Sequence, residues 1–261
     1  MTPRAPASLP AVSFPAATLV LFRRGAAGGP PELMMLERGA QMRFAAGAIV
    51  FPGGRVDPSD HTLAQHVAPD LDPADAAARV AAVRETLEET GLLVGVNEAV
   101  TAAIAQAARA ALSEQGALAP VLEQFGLTLD LEALVPFARW CPFWDGAFDT
   151  RFYLADLGTG SVDIAADGTE SARLCWTSAA DMLAAIGRGE ASALFPTVCN
   201  LQRLAQFASF AEARAEAAVI APELIVPWAE SVAGTEYLCI PADRGYPETR
   251  RPLAEVRRGR A

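Results

Sequence analysis

The segment 72–91 constrains the fold of this 261-residue chain most strongly, because its periodicity indicates one amphipathic helix. Asp72 can cap the first turn, Pro73 suits that turn, and Gly91 is a typical residue for the end. One side of the helix is an apolar stripe formed by Ala76, Val80, Val83 and Leu87. The segment must therefore pack this stripe against another layer of the molecule.

The opposite side of the same helix carries three carboxylates, Glu85, Glu88 and Glu89. Their spacing of i, i+3 and i+4 makes them neighbours, and like charges at such spacings cost about 0.2–0.5 kcal/mol per pair. A bound Mg²⁺ ion would reverse the sign of that interaction, because hard cations prefer oxygen ligands. Taken without other motifs, the three glutamates are also typical of a solvated acidic face on which Arg84 pairs with Glu88.

The apolar and helical segments before and after the helix at 72–91 predict the fold class. Strands are predicted at 17–23, 32–38, 48–51, 135–141, 149–157, 172–177, 223–228 and 235–240. Further helices are predicted at 97–115, 120–134, 178–189 and 197–217, and residues 61–71 are predicted to form a loop. The order lacks the regular alternation of a doubly wound sheet. It favours an α/β (α+β) fold in which helices sandwich a mixed sheet.

Composition excludes several function classes. The net charge of −10 argues against general nucleic-acid binding. All 21 basic residues are arginine, so neither a Schiff-base lysine nor a P-loop lysine exists. Four widely spaced cysteines predict structural thiols in a reducing cytoplasm. No apolar stretch reaches membrane-spanning length, and we expect no membrane partner. Trp140, Trp144 and Trp176 are predicted to lie in the core rather than to stack on bases, and Phe148, Phe152 and Tyr153 are predicted to pack on their strand.

Two short segments, FPGGRVDPSD at 51–60 and RETLEETGL at 84–92, together resemble the Nudix box. Gly54 matches the first glycine of that pattern, and 84–92 matches its second half, with Thr86 at an aliphatic position. The resemblance implies a Nudix-type α/β/α sandwich and hydrolysis of a diphosphate bond. It implies that Glu85, Glu88 and Glu89 ligate Mg²⁺ or Mn²⁺ with help from the Gly53 carbonyl. Arg84 would hold the box together by ion pairing, and Glu88 or Glu85 would be the general base.

The box is interrupted in this chain. Asp60 stands where the pattern has a glutamate, and 23 residues, 61–83, separate it from Arg84 where the pattern has seven. Insertion in a surface loop is tolerated at small cost, so the helical part of the box can survive it. The role of Asp60 stays open on sequence alone.

The interruption is similar to the coenzyme A diphosphatase-like branch, of the nucleoside diphosphate-linked moiety X motif 19 type. Arg38, Arg43, Gly47 and the FPGG run 51–54 fall in the register of that branch. The resemblance implies that Arg38, Arg43, Phe51 and Gly54 bind substrate and that Glu170 is a further metal ligand or base. Coenzyme A or acyl-CoA would then give 3′,5′-ADP and 4′-phosphopantetheine.

Two alternatives remain at this point. One is a Nudix pyrophosphatase acting on NADH, ADP-ribose or RNA caps, and the other is a non-catalytic nucleotide-binding protein of the same fold. In either case the partner is a small nucleotide diphosphate, and a homodimer is consistent with the family. We expect a flexible lead-in at 1–15, one domain at 16–245 with a helical insertion at about 97–134, and a basic tail at 246–261.

Overall fold

The structure is a computed structural model, which describes residues 10–25, 28–39, 46–157 and 171–258. Two predicted site residues, Arg43 and Glu170, lie outside these ranges. The described strands are β1 Ser13–Arg23, β2 Glu32–Arg38, β3 Ile49–Val50, β4 Gly53–Arg55, β5 Val135–Trp140, β6 Ala147–Asp156, β7 Ser171–Ser178, β8 Leu224–Ile225, β9 Trp228–Val232, β10 Thr235–Cys239 and β11 Arg250–Pro252. The described helices are α1 Pro58–Val67, α2 Pro73–Thr90, α3 Ala102–Gln115, α4 Leu118–Phe125, α5 Ala179–Gly187, α6 Phe195–Leu204, α7 Phe210–Ala217 and α8 Leu253–Arg258.

A mixed sheet forms the centre of the molecule. Its main path runs β3-β2-β1-β6-β5-β8, while β4 pairs with β1 and β7 pairs with β2. Strands β1 and β6 run parallel over ten residue pairs, whereas β1 with β2 and β5 with β6 are antiparallel. The predicted mixed sheet between helices is confirmed.

The alternation of β1 explains why both faces of the sheet are covered. Ala17, Leu19 and Leu21 point to one face and pack in a core cluster with α2 and the helical insertion. Val20 and Phe22 point to the other face and pack with α5, α6 and α7. The apolar stripe predicted for 72–91 is therefore the surface by which α2 covers the sheet.

The interruption of the box is a helix where the sequence predicts a loop. Residues 61–67 belong to α1, so the prediction of a loop at 61–71 is wrong for most of its length. Pro58 occupies the first turn, and the Asp60 carboxylate accepts a 2.8 Å hydrogen bond from the Asp57 N–H. Both helix-start signals lie just before residue 61, where the loop was predicted to begin. The helix that they start continues to Val67.

Two other helices end earlier than predicted. The segment 197–217 divides into α6 and α7, because Ser209 caps a new helix by accepting a hydrogen bond from the Glu212 N–H. The predicted helix at 120–134 ends at Phe125, where Gly126 adopts a left-handed conformation. In both cases a local cap decides the boundary.

The described part of the segment after residue 245 contacts the rest of the protein. Strand β11 pairs with β10, and these two strands form a small sheet with β9. Tyr246 is buried, accepts a 3.0 Å hydrogen bond from Trp140 Nε1 and donates one to Asn200. The four cysteines, which all lie in the described ranges, form no disulfide bond with one another. Within the described ranges, every helix is too short or too polar to cross a membrane.

Candidate active site

Helix α2 carries the predicted carboxylates to the wall of a large cavity. Its N-terminus is capped by Asp72, and it ends at Gly91, whose φ of 76° is unfavourable for other residues. The cavity has a volume of about 970 Å³. The predicted site residues that line it are Arg38, Phe51, Gly53, Gly54, Glu85, Glu88 and Glu89. Of the other three predicted positions, Arg84 lies outside the cavity lining, and Arg43 and Glu170 lie outside the described residues.

Arg84 lies beneath this wall and joins three elements of the interrupted box. It is only 3% exposed, and its Nε and Nη2 atoms donate to the two Asp60 oxygens at 3.0 and 2.9 Å. Nη2 also donates to the Arg55 carbonyl at 2.9 Å. Nη1 donates to Glu85 at 2.9 Å and to Glu88 at 3.2 Å. One guanidinium therefore fixes α1, β4 and the acidic face of α2 to one another.

Asp60 is the box residue whose role the sequence left open. It is 1% exposed, and Arg84 binds it bidentately. The signal for it in the sequence is its place six residues after Gly54, which is the glutamate position of the box pattern. Because α1 is a rigid helix, the extra residues between Asp60 and Arg84 do not prevent the two side chains from meeting.

Thr86, at the aliphatic position of the box, is fully buried. Its hydroxyl donates a 2.7 Å hydrogen bond to the Ala82 carbonyl one turn earlier. The polar atom is therefore satisfied within the helix, and the β-branched side chain takes the place of an aliphatic one.

Negative charge exceeds positive charge around Arg84. Burial raises the pKa of Glu85 to about 7, and the Glu88 carboxylate adds to the rise while Arg84 opposes it. Burial also raises the pKa of Glu88. For Arg84, burial alone would lower the pKa, but the hydrogen bonds to Asp60 and the nearby carboxylates raise it. A cation bound beside these carboxylates would therefore lower the free energy of their ionised form.

Two glycines allow the carboxylates to approach β4. A side chain at Gly54 would overlap the Glu85 carboxylate, and one at Gly53 would overlap the backbone of Ala17 and Thr18. The Gly53 N–H donates a 2.8 Å hydrogen bond to Glu89. The contact seen for Gly53 is thus through its amide, and a ligand role for its carbonyl stays a prediction.

The donor set agrees in chemistry with the predicted Mg²⁺ or Mn²⁺. Carboxylate oxygens are the ligands these ions prefer, and Glu85 and Glu88 belong to the cavity lining while they share Arg84 with Asp60. In the ranges that the structure describes, no three acidic, histidine or cysteine side chains are arranged to hold a metal ion together. Glu85 and Glu88 are turned towards Arg84, and Glu89 is turned towards Gly53. Metal binding requires that at least one of them rotate into the cavity.

The helical insertion contributes a residue that the sequence analysis missed. Arg109 of α3 donates to the carbonyls of Glu88 at 2.9 Å and Glu89 at 3.3 Å, and it lines the cavity. These carbonyls belong to the last turn of α2, which has no basic residue of its own. The signal in the sequence is that Arg109 is the one basic residue in the Ala-rich segment of α3.

The aromatic side chains divide between core and cavity. Trp140 is buried, as predicted, and its ring packs against Phe195 and Tyr246. The core prediction is wrong for Trp144, which is 43% exposed and lines the cavity. Phe148, predicted to pack on its strand, contacts the Phe14 ring but is 37% exposed and also lines the cavity. The sequence could not separate them, because apolar side chains at strand ends occur equally in cores and in ligand cavities.

Comparison with known proteins identifies the family. No family model matches the sequence, and no curated protein matches it. A Nudix hydrolase from Alicyclobacillus acidocaldarius is 32% identical in sequence, with a TM-score of 0.67, over 80% of this chain and 97% of the other. The match to a MutT/nudix family protein from Enterococcus faecalis (15% identity, TM-score 0.38) covers 67% of this chain and 46% of that protein's chain. The match to an Ap4A hydrolase from C. elegans (16% identity, TM-score 0.36) covers 79% of this chain and 96% of that protein's chain.

Only the first of these comparisons is strong enough to carry an argument. Its identity and its coverage of both chains agree with the interrupted box and with the mixed sheet between helices. The chain is a member of the Nudix hydrolase family.

Proposed function

We propose that this protein hydrolyses the diphosphate linkage of a nucleoside diphosphate derivative with Mg²⁺ or Mn²⁺, and that the substrate is coenzyme A or an acyl-CoA. One observation carries the hydrolase part of the proposal. Glu85 and Glu88 are held side by side by Arg84 on the wall of a cavity of about 970 Å³, with more negative than positive charge around them. The register of Arg38, Gly47 and the FPGG run supports the coenzyme A part.

In this proposal Glu85, Glu88 and Glu89 hold the divalent ion, with the Gly53 carbonyl as a further ligand. The ion neutralises the bridging and leaving phosphate oxygens when it is bound. Arg84 keeps the ligand face in place through its bonds to Asp60 and to the Arg55 carbonyl. Arg38 supplies positive charge to the substrate, and Gly54 and Phe51 give shape to the cavity wall. Arg43 is a candidate for a further substrate-binding residue, and Glu170 is a candidate for a further metal ligand.

Glu88 is our choice for the residue that takes a proton from the attacking water. Its side chain is 36% exposed, against 16% for Glu85, so it meets water more easily. Burial raises the pKa of Glu88, which makes its carboxylate a stronger base than an exposed glutamate. Glu85 is the second choice, and Glu170 the third.

The substrate is tested by product analysis. Purified protein is incubated with coenzyme A, acyl-CoA, NADH, ADP-ribose and capped RNA, each with Mg²⁺ or Mn²⁺, and the products are identified by mass spectrometry. We expect 3′,5′-ADP and 4′-phosphopantetheine from coenzyme A. Brisk release of AMP from NADH without any phosphopantetheine would overturn the coenzyme A assignment and leave the hydrolase assignment standing.

Catalysis is separated from simple binding by Glu88→Gln. We expect a loss of about 10²–10⁴-fold in kcat, the range found for removal of a general base, with an unchanged circular dichroism spectrum. Glu236→Gln, an exposed carboxylate on the small sheet, is the matched control and should keep full activity. Equal hydrolysis by the two variants would remove Glu88 from the catalytic role, whereas nucleotide binding without hydrolysis by the wild type would favour a non-catalytic nucleotide-binding protein.

Compartment and assembly remain predictions from the sequence. Four described cysteines without a disulfide bond are compatible with the reducing cytoplasm that we propose. Cell fractionation tests the compartment, and light scattering in solution tests the proposed homodimer.

A further inference from the structure

Helix α6 begins at the wall of the cavity. Leu194, Pro196 and Thr197 all line the cavity, and Leu194 occupies the N-cap position of α6. A leucine has no side-chain oxygen, so the first turn of α6 receives no side-chain cap. The Val198 N–H donates to the Leu194 carbonyl at 3.0 Å, and Pro196 has no N–H group. Among the described residues, none accepts a hydrogen bond from the Phe195 or Thr197 N–H.

The Thr197 side chain is a second, independent feature of this helix start. Thr197 is only 6% exposed, and its hydroxyl makes no hydrogen bond with any residue that the structure describes. The described side-chain atoms that are fully enclosed without a partner are Asn200 Nδ2 and Arg244 Nε, so the Thr197 hydroxyl is not fully enclosed. It therefore reaches the cavity that the residue lines. A buried hydroxyl without a protein partner is available to a ligand.

The position of this helix start is fixed by the strand beside it. The Ile49 N–H of β3 donates a 2.7 Å hydrogen bond to the Ser192 carbonyl, and Ala48 and Ser192 form a parallel bridge. Two residues further along each segment, Phe51 and Leu194 both line the cavity. The two segments run in the same direction, so the start of α6 lies at the end of the sheet to which β3 leads.

The charges in the cavity lining favour an anion on this side. Among the described residues that line the cavity, the acidic ones are Glu85, Glu88 and Glu89, and all three belong to α2. Arg38 also lines the cavity, and its N–H donates to the carbonyl of Ala48, the residue bridged to the segment before α6. The first turn of α6 has no acidic residue. Because a helix N-terminus carries positive partial charge, this turn and Arg38 together attract an anion.

We propose that the start of α6 is a phosphate subsite, in which the Phe195 and Thr197 N–H groups and the Thr197 hydroxyl donate to a phosphomonoester group of the substrate. The inference rests on the proposed function, which places the diphosphate at the acidic face of α2. It goes beyond that function by assigning a second phosphate position outside the interrupted box, on a helix that packs on the opposite face of the sheet from α2.

Coenzyme A has a phosphate group that such a subsite fits. Its adenosine ribose carries a 3′-phosphate, which NADH and ADP-ribose lack. A cavity of about 970 Å³ lies at the upper end of the range for small-molecule sites, so it can hold this group in addition to the diphosphate. The subsite would therefore select coenzyme A derivatives over dinucleotides without that phosphate.

The test is a binding experiment with nucleotides that have no diphosphate bond to hydrolyse. 3′,5′-ADP and AMP, which differ only in the 3′-phosphate, are titrated calorimetrically into the wild-type protein with Mg²⁺. We expect 3′,5′-ADP to bind at least about 10-fold more tightly than AMP, because several charge-assisted hydrogen bonds act on the added phosphate.

Thr197→Val removes the hydroxyl and keeps the branched shape of the side chain. It should weaken binding of 3′,5′-ADP by about 10-fold, the loss expected for one hydrogen bond to a charged group, and change AMP affinity by less than about twofold. Thr197→Ser keeps the hydroxyl, so its affinity for 3′,5′-ADP should lie within about threefold of wild type. Thr235→Val, at an exposed position of β10, is the matched control and should change neither affinity.

Leu194→Asp tests the main-chain donors without changing the hydroxyl. An aspartate at the N-cap accepts the hydrogen bond of the Thr197 N–H and adds a negative charge beside the subsite. We expect the variant to bind 3′,5′-ADP at least about 10-fold more weakly while AMP affinity changes little. A general folding defect would not produce this difference between the two nucleotides.

Three results would each overturn the phosphate subsite. They are equal affinity of the wild type for the two nucleotides, wild-type affinity of T197V and L194D for 3′,5′-ADP, and an equal loss of both nucleotides in these variants. Failure of the subsite is distinguishable from failure of the proposed function, because the product assay measures cleavage of a diphosphate bond and neither titrated nucleotide contains one. Hydrolysis of coenzyme A together with equal binding of the two nucleotides would remove the subsite and leave the function standing.

Discussion

Two buried arginines, Arg84 and Arg203, make the same kind of bond in two different regions and show what distinguishes a site from a core. They are 3% and 2% exposed, and each binds a carboxylate bidentately. Arg203 has one carboxylate partner, Glu216, and donates also to the Phe137 carbonyl at 2.9 Å. Its guanidinium lies 4.0 Å from the centre of the Phe137 ring. One positive charge meets one negative charge there, and apolar groups enclose the pair.

Arg84 instead faces three carboxylates within 3.2 Å, Asp60, Glu85 and Glu88, and two of these line the cavity. The two arginines are about equally buried, so the burial of an arginine alone does not identify the site. The two regions differ in the number of carboxylates that contact the arginine, and in whether those carboxylates line a cavity. An arginine that pairs with one carboxylate stabilises one conformation of the protein. An arginine that contacts three carboxylates leaves negative charge on the cavity wall, where a cation can bind.

The largest expected effect comes from breaking the balanced pair. Arg203→Met leaves Glu216 and the Phe137 carbonyl without their donor, and loss of one partner of a buried pair costs about 3–5 kcal/mol. We expect a urea-denaturation midpoint well below that of wild type, while kcat of the folded fraction changes by less than about twofold because no site residue is touched. Arg188→Met, which breaks the exposed pair with Glu190, should leave the midpoint unchanged. A large fall in kcat of folded R203M would contradict the division into core and site.

The second effect comes from reducing the unbalanced charge. In EDTA, Glu85→Gln should increase the free energy of unfolding at pH 8 by about 1–3 kcal/mol, because the wild-type carboxylate is ionised there against its burial. A carboxyl whose pKa is raised in the folded state lowers stability as pH rises. The difference between variant and wild type should therefore grow between the ordinary Glu pKa of 4.5 and about 7, and then level off.

Activity should respond in the opposite direction to stability in the same variant. With Mg²⁺ present, we expect E85Q to lose at least about 10²-fold in kcat, since it removes a proposed ligand or base. A variant that is less stable than wild type in EDTA at every pH would show that Arg84 fully compensates the cluster and that the charge excess is absent.

The third effect separates the two glycines beside the cluster. Gly54→Ala should displace the Glu85 carboxylate, which can rotate, and lower kcat/KM by about 10-fold with a small change in the denaturation midpoint. Gly53→Ala meets backbone atoms that cannot move, at a φ of 155°, and should lower the midpoint itself. Gly187→Ala in α5, with open space around it, is the control for an added methyl group. If G54A and G53A behave alike, Gly54 serves the turn and not the carboxylate.

The smallest effect tests the link between the insertion and α2. Arg109→Ala removes two hydrogen bonds from the last turn of α2 and should cost about 1–2 kcal/mol of stability. As a positioning residue for Glu88 and Glu89, it should lower kcat by about threefold at constant KM, with partial recovery in Arg109→Lys. A rise in KM at constant kcat would show that Arg109 contacts the substrate instead.

Local sequence signals predicted the acidic helix well. Residues 72–91 contain their own cap, stripe and stop signal, and α2 has nearly the predicted bounds. Most strands were predicted near their observed positions for the same reason, since alternation and turn residues act within a few positions. The helix boundaries that differ, at α1, at the end of α4 and between α6 and α7, depend on single caps whose contribution is small in a sequence pattern.

Sequence by itself therefore determined the carboxylates of α2, their spacing and the glycines that they approach, because the period of a helix fixes which residues are neighbours. Only the tertiary structure decided that Asp60 meets Arg84 across the interruption, that Arg109 reaches α2 from the insertion, and that Trp144 faces a cavity. The first two contacts join residues 24 and 21 positions apart, in elements whose packing depends on the whole sheet. A local pattern holds no information on such distances, since many packings satisfy the same apolar faces.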